Sequence, residues 1–117
     1  MISFSGSLKV FLSVEPVDMR AGFGRLSSHV VETLKEDLLQ GALFVFTNRR
    51  HTRIKVLCFD GSGLWLMCKR LEKGTFAWPK KEQVGTGKLH LAPEAFAMLT
   101  DGIDLRGARM RPWYQRE

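Results

Sequence analysis

Carboxylates, histidines and cysteines are the side chains that most often carry catalysis or hold metals, and this 117-residue chain spaces them poorly for either. Among its twelve acids, Asp18, Asp60, Glu72, Asp101 and Asp104 are the candidates for phosphodiester chemistry. That chemistry needs carboxylates converging on two divalent ions about 4 Å apart. Asp18 has a plainer role as a helix cap, Asp60 as a turn residue, and Glu72 as a turn acid beside Lys73. His29, His51 and His90 share no spacing with a serine or cysteine that would mark an activated nucleophile. Cys58 and Cys68, with no histidine at ligand spacing, make a poor zinc site and read as buried thiols. No catalytic residue, metal ligand or cofactor is assigned, and the expectation is a protein that is not an enzyme.

The chemistry that the sequence does concentrate is positive charge. Residues 49–81 hold nine basic side chains, Arg49, Arg50, Arg53, Lys55, Lys69, Arg70, Lys73, Lys80 and Lys81. Only Asp60 and Glu72 oppose them, so this third of the chain carries +7 while the whole chain carries +6. The isoelectric point is about 9.8, and a value above about 9 is one footprint of nucleic-acid binding. The expectation is that these nine residues form a band that pairs with phosphates, with affinity falling steeply as salt rises. The plainer reading is that several of them stand in solvent and keep the protein soluble. No helix-turn-helix, zinc-finger or RNA-recognition signature accompanies them, so sequence-specific readout has no support.

The elements that must position this charge follow from the apolar patterning. At 117 residues, with 44% apolar and 26% charged residues, the chain fits one domain that needs no metal or disulfide to fold. Residues 1–105 are taken as that domain and residues 106–117 as a basic C-terminal tail. No apolar run reaches the roughly 20 residues of a membrane span, and Met1–Gly6 lacks the features of a signal peptide, so the expected address is cytoplasmic.

Leu8–Val14 reads as a first strand, ended near Pro16. Asp18 is placed as the N-cap of a helix from Met19 to Lys35 or Leu39, with Gly41 as its stop. Leu43–Thr47 reads as a second strand, too uniformly apolar to face water on both sides. Arg53–Phe59 and Leu64–Leu71 form a hairpin around Asp60-Gly61-Ser62-Gly63. A turn centred on Ser62 would pair Phe59 with Trp65, Leu57 with Met67 and Lys55 with Lys69. Thr75–Trp78 is expected as a short fifth strand and Lys88–Leu91 as a sixth, with Lys80–Lys88 mostly a polar loop. Pro93 opens a second helix that turns Phe96, Leu99 and Ile103 inward. The fold class expected is α+β: one antiparallel sheet of about five or six strands with two helices packed on it.

A family resemblance rests on runs that occur here in order. They are Asp18-Met19-Arg20-Ala21-Gly22-Phe23, Leu43-Phe44-Val45-Phe46, Arg53-Ile54-Lys55-Val56-Leu57, Asp60-Gly61-Ser62-Gly63 and Lys69-Arg70-Leu71-Glu72-Lys73-Gly74-Thr75-Phe76-Ala77-Trp78-Pro79. Together they resemble the small accessory protein (TnpB, the second open reading frame) of insertion sequences of the sixty-six type, over roughly residues 8 to 105. The resemblance implies a bacterial mobile element, a role in transposition, and partnership with the element's transposase and its other proteins. It supplies no catalytic residues to carry over.

Two functional classes stay open at this level. In one, the basic band binds DNA, with the element's ends the expected target. In the other, the chain is a protein-interaction module in which Arg20, Phe23, Trp113 and Tyr114 dock on the transposase or another accessory protein. Arg20 has a second reading, pairing with Asp18 or Glu15, and the tail that carries Trp113 and Tyr114 reads equally as a frayed end. Trp65 and Trp78 are expected to pack in the core rather than stack on bases.

Overall fold

The computed structural model describes residues 8–102. Five strands form a single sheet: β1 (Val10–Ser13), β2 (Leu43–Thr47), β3 (Arg53–Phe59), β4 (Leu64–Arg70) and β5 (Lys88–Leu91), in the spatial order β4-β3-β2-β1-β5. Three junctions are antiparallel, while β1 and β2 run parallel with Val10 beside Leu43 and Leu12 beside Val45. A parallel pair needs a crossover connection, and the helical segment between Gly22 and Gly41 supplies it. The α+β class holds, with one parallel junction added to the expected antiparallel sheet.

Both faces of the sheet are covered. On one face Val10, Leu12, Val45, Ile54, Val56 and Cys58 pack under Phe76, Trp78, Ala95 and Leu99. On the other, Phe44, Phe46 and Leu57 pack under Ala21, Leu26, Val30, Leu34 and Leu38. Every residue of β2 is therefore buried, which is why its sequence is continuously apolar rather than alternating. Burying a side chain the size of Phe44 or Phe46 contributes about 1.5–3 kcal/mol.

The helical regions differ from expectation in ways that have local causes. Helix α1 spans Phe23–Ser28 with Gly22 at its N-cap, so Asp18 does not cap it. Asp18 is occupied one turn earlier: it accepts the Arg20 N–H at 2.8 Å and the Arg20 guanidinium at 2.7 Å, and its carbonyl receives the Ala21 N–H. After Ser28 the helix widens into a π-helical turn, His29–Thr33, and ends at Leu34. Lys35, at φ +58°, breaks it. A separate 3₁₀ turn, Leu38–Gln40, starts at Asp37, which accepts the Leu39 N–H, and Gly41 closes it at φ +87°. The single helix expected from Met19 to Lys35 or Leu39 is thus a shorter helix over residues 23–33 and a separate 3₁₀ turn.

Thr75–Trp78 is not a strand. It runs across one sheet face as a strap, its Phe76 N–H bonded to the His51 carbonyl at 2.7 Å and the Trp78 indole N–H to the Ser13 carbonyl at 3.2 Å. Phe76 and Trp78 are both buried there. A one-turn helix α2 (Lys81–Val84) stands where a loop was expected, and α3 (Pro93–Thr100) begins at its proline as expected. Ala95 and Leu99 are buried in α3 and Phe96 is half-buried; Ile103 lies outside the described residues.

Candidate nucleic-acid interface

The basic residues are organised by the β3–β4 hairpin and the loops at its far end. Its turn is two residues long, because the Asp60 N–H bonds to the Gly63 carbonyl and Phe59 pairs with Leu64. Gly61, at φ +104°, takes the first central position, where a two-residue hairpin favours glycine. This shifts the register by one residue from the sequence expectation. Lys55 faces Cys68 rather than Lys69, Leu57 faces Leu66, and Arg53 faces Arg70. A one-residue slip exchanges faces, so Lys55 and Lys69 point to opposite sides of the sheet.

The β2–β3 loop is clasped by Asn48, a residue that sequence reasoning passed over. Its side-chain oxygen accepts the Thr52 N–H at 2.9 Å and the Arg53 N–H at 3.1 Å, and its amide donates to the Thr52 hydroxyl. The Asn48 carbonyl also receives the His51 N–H. Asparagine at the head of a short loop is the available sequence signal, since its side chain mimics backbone in turns. The clasp leaves Arg49 and Arg50 exposed at the loop tip. His51 adopts φ +59° and lays its ring on Trp78 with centroids 6.0 Å apart. Partial burial pushes the His51 pKa below its ordinary value.

The chain returns to the same end after β4. The Leu71 N–H bonds to the Thr52 carbonyl and the Phe76 N–H to the His51 carbonyl, so the loop that carries Lys73 leaves and returns at the β2–β3 loop. Arg53 and Arg70 form a non-hydrogen-bonded pair, the type in which opposed side chains come closest. Like charges in that position repel. Among the described residues only Glu72 answers them, 3.4 Å from Arg70 in an exposed pair. A cleft of about 460 Å³ opens on this side, lined by Met19, Arg53, Lys55, Cys68, Arg70 and Glu72 among others.

The other predicted basic residues are engaged elsewhere. The Lys55 ammonium donates to the Met19 and Ala21 carbonyls at 2.7 and 2.8 Å, tying the corner before α1 to the sheet. Lys69 donates to the Thr100 carbonyl at 2.6 Å, satisfying the C-terminal end of α3. Lys81 lies 3.5 Å from Glu15. Lys80 and Lys81 border a separate groove of about 500 Å³ whose walls include Pro16, His51, Trp78 and Pro79. The side-chain cations of Arg49, Arg50, Arg53, Lys73 and Lys80 have no carboxylate or carbonyl partner among the described residues. Lys88, absent from the predicted set, bonds to the Leu34 carbonyl and to Glu36 and lies over the Phe11 ring.

The predicted partner-binding residues are scattered. Arg20 is paired with Asp18, whose carboxyl is held well below the usual range chiefly by that hydrogen bond. Phe23 is 49% exposed at the start of α1. Trp113 and Tyr114 lie outside the described residues. Trp78 is a core residue as expected, but Trp65 is 42% exposed and donates its indole N–H to Asp60 at 2.7 Å. Cys58 is buried, which pushes its thiol pKa up, whereas Cys68 is exposed on the open strand. Among the described residues no three His, Cys, Asp or Glu side chains gather where they could hold a metal ion, and no helix is long and apolar enough to cross a membrane.

Comparison with known proteins agrees with the motif runs. A family model described as IS66 Orf2 like protein matches residues 8–110. The chain is 37% identical over 112 residues to a Sinorhizobium fredii protein carried as uncharacterized protein y4jC, covering 96% of this chain and 93% of that one. It is 38% identical over 106 residues to uncharacterized protein y4hO of the same organism, covering 91% and 90%. No solved structure matches it significantly.

Proposed function

We propose, because this chain belongs to the IS66 Orf2-like family, that it is a non-catalytic accessory protein in the transposition of a bacterial insertion sequence, acting in the cytoplasm by holding DNA. The contact surface is the end of the sheet that carries Arg49, Arg50, Arg53, Arg70 and Lys73, with Lys80 across the strap. The observation that carries this reading is the cross-strand pairing of Arg53 with Arg70, next to a clasped loop that presents two more arginines. Such an arrangement costs folding energy unless an anion neutralises it, and a duplex backbone supplies anions at regular spacing. Lys55 and Lys69 contribute to the field but are committed to backbone carbonyls.

The test is binding of the purified chain to duplexes carrying the element's terminal repeats and to scrambled duplexes, across a salt series, with and without the transposase. Binding that weakens log-linearly with salt supports the reading. No retention of duplex or single strand at micromolar protein in low salt ends it.

A second reading, docking on the transposase without DNA contact, draws support from exposed Phe23 at the start of α1 and exposed Val31 in the π-helical turn that follows it. It predicts co-purification with the transposase that survives nuclease treatment. Loss of the complex on nuclease treatment refutes it.

A further inference from the structure

The sheet has two edges, and they are not alike. β5 is four residues long, while β4 is seven, without proline or bulge, and its outer side pairs with no described strand. A long, flat, open edge is a template for another strand. The hydrogen-bond phase of the hairpin tells which amides are available. Asp60 bonds across to Gly63 and Leu71 to Thr52, so Trp65, Met67 and Lys69 direct their backbone groups to β3. Leu64, Leu66, Cys68 and Arg70 direct theirs outward.

We infer that this edge pairs with β4 of a second copy, antiparallel about a two-fold axis at Met67, joining two five-stranded sheets into one. The residue pattern selects that partner and that register. In the full-overlap register the outward amides of Leu66 meet those of Cys68, and those of Leu64 meet those of Arg70. On the alternate positions Met67 meets Met67 and Trp65 meets Lys69.

The strand reads apolar in its first half and basic at its end, so a parallel copy would stack Lys69 on Lys69 and Arg70 on Arg70. The antiparallel copy instead sets Lys69 opposite Trp65 and Arg70 opposite Leu64, so no like charges meet. Trp65 at 42% and Met67 at 38% exposure supply apolar surface that the pairing would cover. The bond from its indole to Asp60 already fixes Trp65 in place. Such an isologous contact closes on itself, leaving no further open β4 edge.

This inference stands or falls apart from DNA binding. The full chain is followed by sedimentation velocity up to about 100 μM, because dimer population depends on protomer concentration. Expected are a doubled mass for the parent protein and a monomer for Met67→Arg, which sets two guanidinium groups against each other at the axis. An equimolar mixture of Met67→Arg and Met67→Glu should restore the dimer. On the unsubstituted protein, amide exchange at Leu66 and Cys68 should slow as concentration rises. A monomer throughout the range, a dimer that Met67→Arg leaves intact, or amides protected only when another protein of the element is added would each overturn the self-pairing.

Discussion

The two ends of the β3–β4 hairpin treat charge in opposite ways. At the turn, one carboxylate does the work of four contacts: Asp60 accepts the Ser62 and Gly63 backbone N–H groups, the Ser62 hydroxyl and the Trp65 indole N–H. These bonds hold its pKa well below the usual carboxylate range, the Ser62 N–H most of all. About seven residues away along the strands, Arg53 and Arg70 oppose each other with Glu72 as their sole described acid, and Arg49 and Arg50 stand exposed on the next loop. The first end satisfies its charge internally and serves folding. The second leaves most of its charge without an acid partner among the described residues, the feature on which the proposed DNA contact rests.

Four changes probe that contrast. Replacing Arg49, Arg50, Arg53 and Arg70 by alanine together should weaken duplex binding at least about a hundredfold at low salt and flatten the log–log salt slope by about 3 to 4. Removal of the opposed pair should leave the thermal midpoint unchanged or higher, as calorimetry would read. An unchanged salt slope would erase the distinction between the two ends.

Lys55→Met sharpens the contrast from the other side. It removes two charge-assisted bonds to the Met19 and Ala21 carbonyls and should cost about 1–2 kcal/mol in urea unfolding, with little effect on duplex affinity once corrected for net charge.

Asp60→Ala should lower the thermal midpoint at pH 7 without altering DNA binding below that midpoint. Because the folded-state pKa of Asp60 is depressed, its contribution is present above the unfolded value of about 3.9 and is lost as pH falls below it. The gap between the parent and Asp60→Ala should therefore narrow below about pH 4 in a pH series of melts. The smallest effect belongs to Lys73→Ala, one exposed lysine, which should change affinity by a factor of only about two to three and shorten the slope by about 0.9.

What could be read from the sequence was whatever is encoded locally. The hairpin, its glycine turn, the helix opening at Pro93 and the gathering of arginines near Arg53 all follow from residues within a few positions of one another. What was hidden depends on distant partners. Lys55 and Lys69 look like any other lysines until their carbonyl acceptors, 31 to 36 residues away, are known. The register was misread because Asp60-Gly61-Ser62-Gly63 admits a two- or a three-residue loop, and one residue decides which face a lysine takes. Thr75–Trp78 has strand-like composition, yet Trp78 anchors to Ser13 across 65 residues and turns the segment into a strap. Asp18 was assigned a cap it does not make because Arg20, two residues on, competes for the same carboxylate.

The Asn48 clasp has a thermodynamic consequence for any ligand of the basic end. Three side-chain bonds and one backbone bond hold a loop of four residues, Arg49–Thr52, in one shape before anything binds. The backbone entropy of ordering that loop, about 1–2 kcal/mol per residue, is surrendered when the protein folds and not when it docks. Within this loop, association then costs the side-chain freedom of Arg49 and Arg50 but little backbone entropy. Asn48→Ala, which touches no phosphate, should therefore raise the entropic penalty of docking while leaving every charge in place.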